Sequence, residues 1–239
     1  MNSPQALLKE LTWGKPVIQL LSNCEKLGQN LPAQMILRHS ERISIEKQSE
    51  ISKASLTETG REAAKAFGRC LPKGRVVRVF HSPVTRCRDT ATSIQFGAES
   101  EGINLNDVVE LPVLNVGPPI DSKFWSDVIS DWPHSYNYWL CGRYSTSDAE
   151  PSFEYSKRLA FELERLSSNL SGDELDVFVT HDMSLIAALF HWFGVFPEAS
   201  QIGFLSGFLI QRVGDGINLL VGDSCRLVRY PDWWNRVGI

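Results

Sequence analysis

With 239 residues, 43% of them hydrophobic and 22% charged, the chain can bury a sizeable core in one large α/β domain or two small ones. A formal charge of -4 and a pI near 5.8 provide no global basic field for nucleic acid or an anionic membrane, so local arginines must attract any anionic ligand. The five cysteines are odd in number, widely spaced and without a CxxC pair, which argues against a structural zinc site and for reduced thiols in a cytoplasmic setting.

In chain order, Leu7, Leu8 and Leu11 at helical spacing, followed by Val17 to Leu21, predict a peripheral helical extension over residues 1–33. Lys9, Glu10 and Lys15 interrupt its apolar pairs, unlike a signal peptide, and no stretch of the chain has the length of a membrane helix. Gln34 to Leu37 is a short apolar run ending abruptly in charge, as expected of a buried first strand. Residues 40–56 are polar and predict a surface loop. A helix starts near Leu56-Thr57-Glu58, with Ala63, Ala64, Phe67 and Leu71 on one face. Val76 to Phe80 reads as a second strand and Thr85 to Phe96 as a helix ended by Gly97. Val108 to Val116 reads as a third strand, interrupted by Pro112.

Residues 117–151 change in character, with prolines, Trp125, Trp132, Trp139 and several tyrosines. A long irregular segment of this kind predicts a lid-like insertion or a small helical subdomain packed by its aromatic rings. Ser152 to Leu166 is an amphipathic helix, Leu175 to Val179 a buried strand and Met183 to Phe193 a helix ending at Gly194. Gly207 to Val213 and Ile217 to Val221 form a hairpin around Gly214-Asp215-Gly216. Trp233 and Trp234 are expected to pack down.

Strands alternating with helices predict an α/β fold, a three-layer α/β/α sandwich on a mostly parallel central sheet. Three polar clusters directly follow predicted strands: Arg38 to Arg42, His81 to Arg86, and His181-Asp182. Ligands bind outside the carboxyl ends of strands in such sheets, so the clusters converge on one edge. His39 between Arg38 and Arg42 sits in a positive setting that keeps imidazole neutral and nucleophilic, while the arginines gather phosphate oxygens. The same run also fits a loop histidine among solvated arginines. His181 can donate to a phosphoryl oxygen and Asp182 can protonate a leaving alkoxide, although Asp182 also fits a helix N-cap. Arg86, at a strand-to-helix junction, can complete a phosphate cradle or be a surface charge. Cys87 reads as a small packed residue, His81 and His191 as structural, and Arg143 as a candidate grip on a second anionic group.

The pieces ILRHSER, LTETGREAA, HSPVTRCRDTA and VFVTHD, in that order over residues 35 to 182, resemble the histidine phosphatase superfamily, which includes phosphoglycerate mutases and histidine acid phosphatases. The resemblance implies one such domain over residues 1–239. It also implies a phosphomonoesterase that forms phosphohistidine on His39, with Arg38, Arg42, Arg86 and His181 holding the phosphoryl oxygens. Neither metal nor organic cofactor is implied; the partner would be a small-molecule phosphomonoester. Two departures stand out. The family's RHG is Arg38-His39-Ser40 here, and the glutamate of the mutase-like branch falls at Val113, with Glu110 close by. An aspartate directly after the second histidine, and the spacing of Arg42, match the acid-phosphatase branch, so Asp182 is the expected acid and Glu110 the reserve. A phosphosugar mutase and a non-catalytic phospho-ligand binding protein are the competing readings.

Overall fold

The computed structural model of the chain describes residues 3–132, 134–167, 172–197 and 202–234. Strands β1 (Ala33–Arg38), β2 (Val76–His81), β3 (Leu105–Glu110) and β4 (Glu174–Thr180) run parallel in the spatial order β3-β2-β4-β1. The sheet continues antiparallel from β1 through β5 (Gly207–Val213), β6 (Gly216–Val221) and β7 (Ser224–Arg229). The expected sandwich therefore forms, with a parallel core and an antiparallel flank.

Helices cover both faces, which is why the central strands are apolar throughout rather than alternating. Met35, Leu37, Val177 and Val179 point to one face. There they pack with α1 (Pro4–Glu10), α2 (Gly14–Cys24), α3 (Glu58–Arg69) and α4 (Thr85–Ser100). Ile36 and Phe178, one residue out of phase, face the opposite layer. That layer is built from α7 (Ser152–Ser167), α8 (Asp182–Phe193) and the aromatic insertion, which contains α5 (Lys123–Ser130) and α6 (His134–Leu140). The insertion packs around Phe124, Tyr136 and Trp139, all buried. Trp234 is packed down against Trp192, with ring centroids 4.9 Å apart.

Several boundaries differ from the expectation. The N-terminal helices are less peripheral than their position predicts, since Leu8 and Val17 are fully buried in the core. Within residues 40–56, Ile51, Ala54 and Leu56 are buried although their neighbours are polar. Gly97 does not end α4. A Cβ there would lie 2.0 Å from the Lys65 carbonyl oxygen, and one at Gly68 would lie 2.1 Å from that of Ile94. The two glycines let α3 and α4 cross with their backbones almost touching. The third strand stops at Glu110, because Pro112 starts a 3-10 turn over Pro112–Leu114. Strand β7 was not anticipated: SCRLVR is polar and mostly exposed, so it carries little apolar signal. No helix among the described residues is long and apolar enough to cross a membrane.

Candidate active site

β2, β4 and β1 are adjacent, and their registers pair Arg38 with Thr180 and His81 with Val179. Their carboxyl ends therefore stop at one level, and the polar runs that follow meet there. They border a cleft of about 640 Å³ whose charged or ionisable lining includes Arg38, His39, Arg42, Arg86, His181 and Asp182.

His39 is buried, and its backbone N–H donates to the Thr180 carbonyl at 2.9 Å, fixing it beside β4. Its ring contacts define the tautomer. The Ser40 carbonyl can only accept, so the 2.7 Å contact makes Nδ1 the protonated nitrogen. The Arg86 Nε–H can only donate, so at the 3.0 Å contact Nε2 is unprotonated and its lone pair accepts that hydrogen bond. Burial first, then the charges of Arg86 and Arg38 and the neighbouring His181, hold the His39 pKa well below the usual histidine range.

Arg86 lies in the first turn of α4. Its Nη1 donates to the Ile51 carbonyl at 2.6 Å and its Nη2 to His181 Nδ1 at 3.3 Å. His181 Nε2 then carries the hydrogen and meets Ser82 Oγ at 2.9 Å. Burial, followed by Arg86, Arg38 and Arg42, also holds His181 well below its ordinary pKa. Arg38 pairs through Nη2 with Asp182 Oδ2 at 2.9 Å, donates through Nη1 to the Ile202 carbonyl at 2.9 Å, and lies 4.8 Å from the Phe204 ring centroid. Its Nε is buried without a partner. Arg42 bonds to the Ile43 carbonyl, and burial together with Arg38 and Arg86 pushes its pKa down to about 10. Three guanidinium groups crowd beside one carboxylate, a setting that favours a multiply charged anion with several oxygens.

Asp182 is the first residue of α8 rather than its cap. The N-cap position belongs to His181, while Asp182 Oδ1 accepts from the Met183 N–H at 2.9 Å. The Tyr136 side chain reaches in from α6 and lines the same cleft as Asp182; burial, together with the Asp182 charge, holds its phenol well above the ordinary pKa. Ser40 resolves one departure from the family pattern. It is fully buried; its hydroxyl donates to the Gly60 carbonyl at 2.7 Å, and its N–H to Thr90 Oγ1 at 3.0 Å. Both groups are thereby tied to α3 and α4. Gly60 has to be glycine for this approach, because a Cβ would sit 2.1 Å from the Glu41 carbonyl oxygen.

Other candidates lie apart. Glu110, the reserve acid, is exposed at the end of β3, the edge strand of the parallel part of the sheet, and lies outside the cleft lining. Arg143 stacks on Tyr138 at 4.9 Å and is also outside the cleft lining. His81 bonds through Nδ1 to the Ser82 carbonyl, His134 pairs with Asp131, and His191 bonds to Ser152. Burial pushes the Cys87 thiol up to about 12, which leaves it inert. Tyr136, Asn115 and Ser82 were missed. Ser82 stood within one of the three polar clusters, and Tyr136 within the aromatic insertion expected to form a lid or a small helical subdomain. Asn115 had no signal beyond its nearness to Gly117.

The sequence profile of the histidine phosphatase superfamily (branch 1) matches residues 35–204. The chain belongs to that superfamily. No curated protein sequence matches it. Among solved structures, it is similar to Bacillus stearothermophilus YhfR, at 16% identity and a TM-score of 0.57, covering 81% of this chain and 98% of that one. It is similar also to a mycobacterial glucosyl-3-phosphoglycerate phosphatase, at 18% identity and a TM-score of 0.54, covering 83% and 97%. A third is a phosphoserine phosphatase from Entamoeba histolytica, at 14% identity and a TM-score of 0.54, covering 81% and 98%. At these identities the likeness is one of fold.

Proposed function

We propose that this chain hydrolyses phosphomonoesters through a phosphohistidine on His39. One observation carries the reading: both ring nitrogens of His39 have partners that fix a neutral imidazole, with the Nε2 lone pair beside the Arg86 guanidinium. A phosphoryl group held by Arg38, Arg42 and Arg86 takes the Arg86 Nε–H bond onto its own oxygens and so frees the Nε2 lone pair to attack phosphorus. As the Nε2–P bond forms and the ester P–O bond breaks, the ring gains positive charge, and the Nδ1–H bond to the Ser40 carbonyl stabilises it. His181, whose Nδ1 accepts from Arg86 and whose Nε2 meets Ser82, positions the Arg86 guanidinium for the phosphoryl group and can itself donate to it only by releasing Ser82.

Asp182 supplies the proton to the leaving oxygen. Phosphate binding to Arg38 opens the Arg38–Asp182 pair and frees the carboxyl to turn toward the leaving oxygen. Water then attacks phosphorus, the P–N bond breaks, and Asp182 recovers a proton. The whole chain acts as one domain, with residues 1–33 as an N-terminal extension and residues 117–151 as a lid.

Phosphate release from an aryl phosphate and a panel of phosphomonoesters, measured in chelator, tests the reading. The native chain is expected to turn over and to give an acid-labile phosphoprotein on rapid quenching, and His39→Ala to do neither. Asp182→Asn is expected to lose about 10²–10⁴-fold on alkyl phosphates and far less on aryl phosphates with good leaving groups. Equal losses on both would remove Asp182 as the acid. Isomerisation of a phosphosugar without phosphate release would favour the mutase reading, and tight phosphate binding without turnover a binding protein.

A further inference from the structure

We infer that the alcohol half of the substrate is a bulky hydrocarbon, so that the cleft serves monophosphate esters of apolar alcohols. This rests on the reading above for the phosphoryl end.

Beyond the arginine cluster the cleft is lined by Val116, Ile120, Trp125, Val128, Ile129 and Trp132, and no charged side chain lines that half among the described residues. Trp125 Nε1 already donates to the Pro118 carbonyl at 3.1 Å, and the Tyr136 hydroxyl is turned toward Asp182 at the arginine end of the cleft. The rings therefore offer carbon faces. At the mouth, Ile120, Ile129 and Trp132 are 44%, 39% and 44% exposed, side chains whose apolar surface is left in water. Single exposed apolar residues need no explanation, but a run of them continuous with a charged cradle marks a ligand-binding groove.

Size points the same way. At roughly 30 Å³ for each water, a cleft of about 640 Å³ holds about twenty, far more than a phosphoryl group fills. Asn115 and Ser52 are the polar side chains left to a polyol or amino-acid phosphate outside the arginine cluster, so most of its hydroxyl or ammonium groups would lie against carbon without partners. A hydrocarbon tail displaces water from the same surfaces and leaves nothing unpaired.

Isothermal titration of the whole chain with non-hydrolysable phosphonates decides it: methyl, butyl, hexyl and octyl below their micelle concentrations, naphthylmethyl, and dihydroxypropyl. Along the alkyl series Kd is expected to fall about fourfold per buried methylene, the equivalent of ~0.8 kcal/mol each. The dihydroxypropyl compound should bind no tighter than methyl. Ile129→Asn, at an exposed position that a polar side chain tolerates, should flatten the alkyl slope. A gain confined to naphthylmethyl would make the alcohol aromatic, and a gain confined to the alkyl series would make it aliphatic. Alkyl and naphthyl compounds that bind no better than methyl, or a dihydroxypropyl compound that binds tightest, would overturn the inference. Because binding is read without turnover, an inactive chain would sink the phosphatase reading and still leave this result to stand or fall alone.

Discussion

His39 and His181 are folded as neutral imidazoles under three arginines, and this has a thermodynamic sign. Once unfolded, each regains a pKa near 6.5 and takes up a proton below it, whereas the folded rings do so only at far lower pH. Below about pH 6.5 the unfolded state therefore binds more protons. The stability is present in full above that pH and drains away as the pH falls. Unfolding free energies from urea titrations are expected to drop by up to ~1.4 kcal/mol per pH unit for each histidine between pH 6 and 5. In His39→Gln about half of that slope should disappear; an unchanged slope would mean that His39 does not take part. Individual residues were legible where a short run carried its own meaning, as Arg38-His39 and His181-Asp182 did at strand ends. They were illegible where the partner is distant in sequence. The hydroxyl of Ser40 looked like a change at the nucleophile, and only the fold reveals that Gly60, twenty residues on, receives it. Glu110 stood in reserve for its nearness to the glutamate position of the mutase-like branch and Arg143 for its charge, and neither signal says where the side chain ends up relative to the cleft.

The α3–α4 pair shows what an element adds. Gly68 and Gly97 allow the two backbones to approach so closely that an added methyl meets a carbonyl oxygen within about 2 Å. Gly97→Ala is expected to destabilise the fold by roughly 1–3 kcal/mol or more, visible as a lower Tm. The same helix carries Arg86 in its first turn, eleven residues or ~16 Å away, so activity should fall as well. Gly74→Ala, with open space around its position, serves as the control that should leave both unchanged. Periodicity located nearly every helix and strand, because both sheet faces are covered and their apolar residues keep helical or strand spacing. It could not separate a glycine that stops a helix from one that seats a crossing, since the two look alike in a single chain. Nor could it find β7, whose residues face water.

At the scale of the whole molecule, the cleft has two walls from separate parts of the chain, the loop after β1 and the aromatic insertion. Gln48 Nε2 donates to the Ser122 carbonyl at 2.9 Å, joining them across 74 residues. Gln48→Ala should cost at most ~1 kcal/mol of stability, as one part-buried bond. Its larger effect is expected in dynamics: faster hydrogen exchange at amides of residues 43–52 and a raised KM with little change in kcat. Unchanged exchange would show that the walls hold without it.

The N-terminal helices lie outside the stretch matched by the superfamily profile, yet Trp13 donates its indole N–H to Glu41 at 3.1 Å and meets Phe204 edge-on at 5.7 Å. Glu41 also accepts from Thr57 at 2.6 Å and stands two residues beyond His39, while Phe204 underlies Arg38. An appendage thus serves as a tenon beneath the candidate site: without the helix pair, Glu41 would lose the indole N–H and keep Thr57, and Phe204 would lose its edge contact under Arg38.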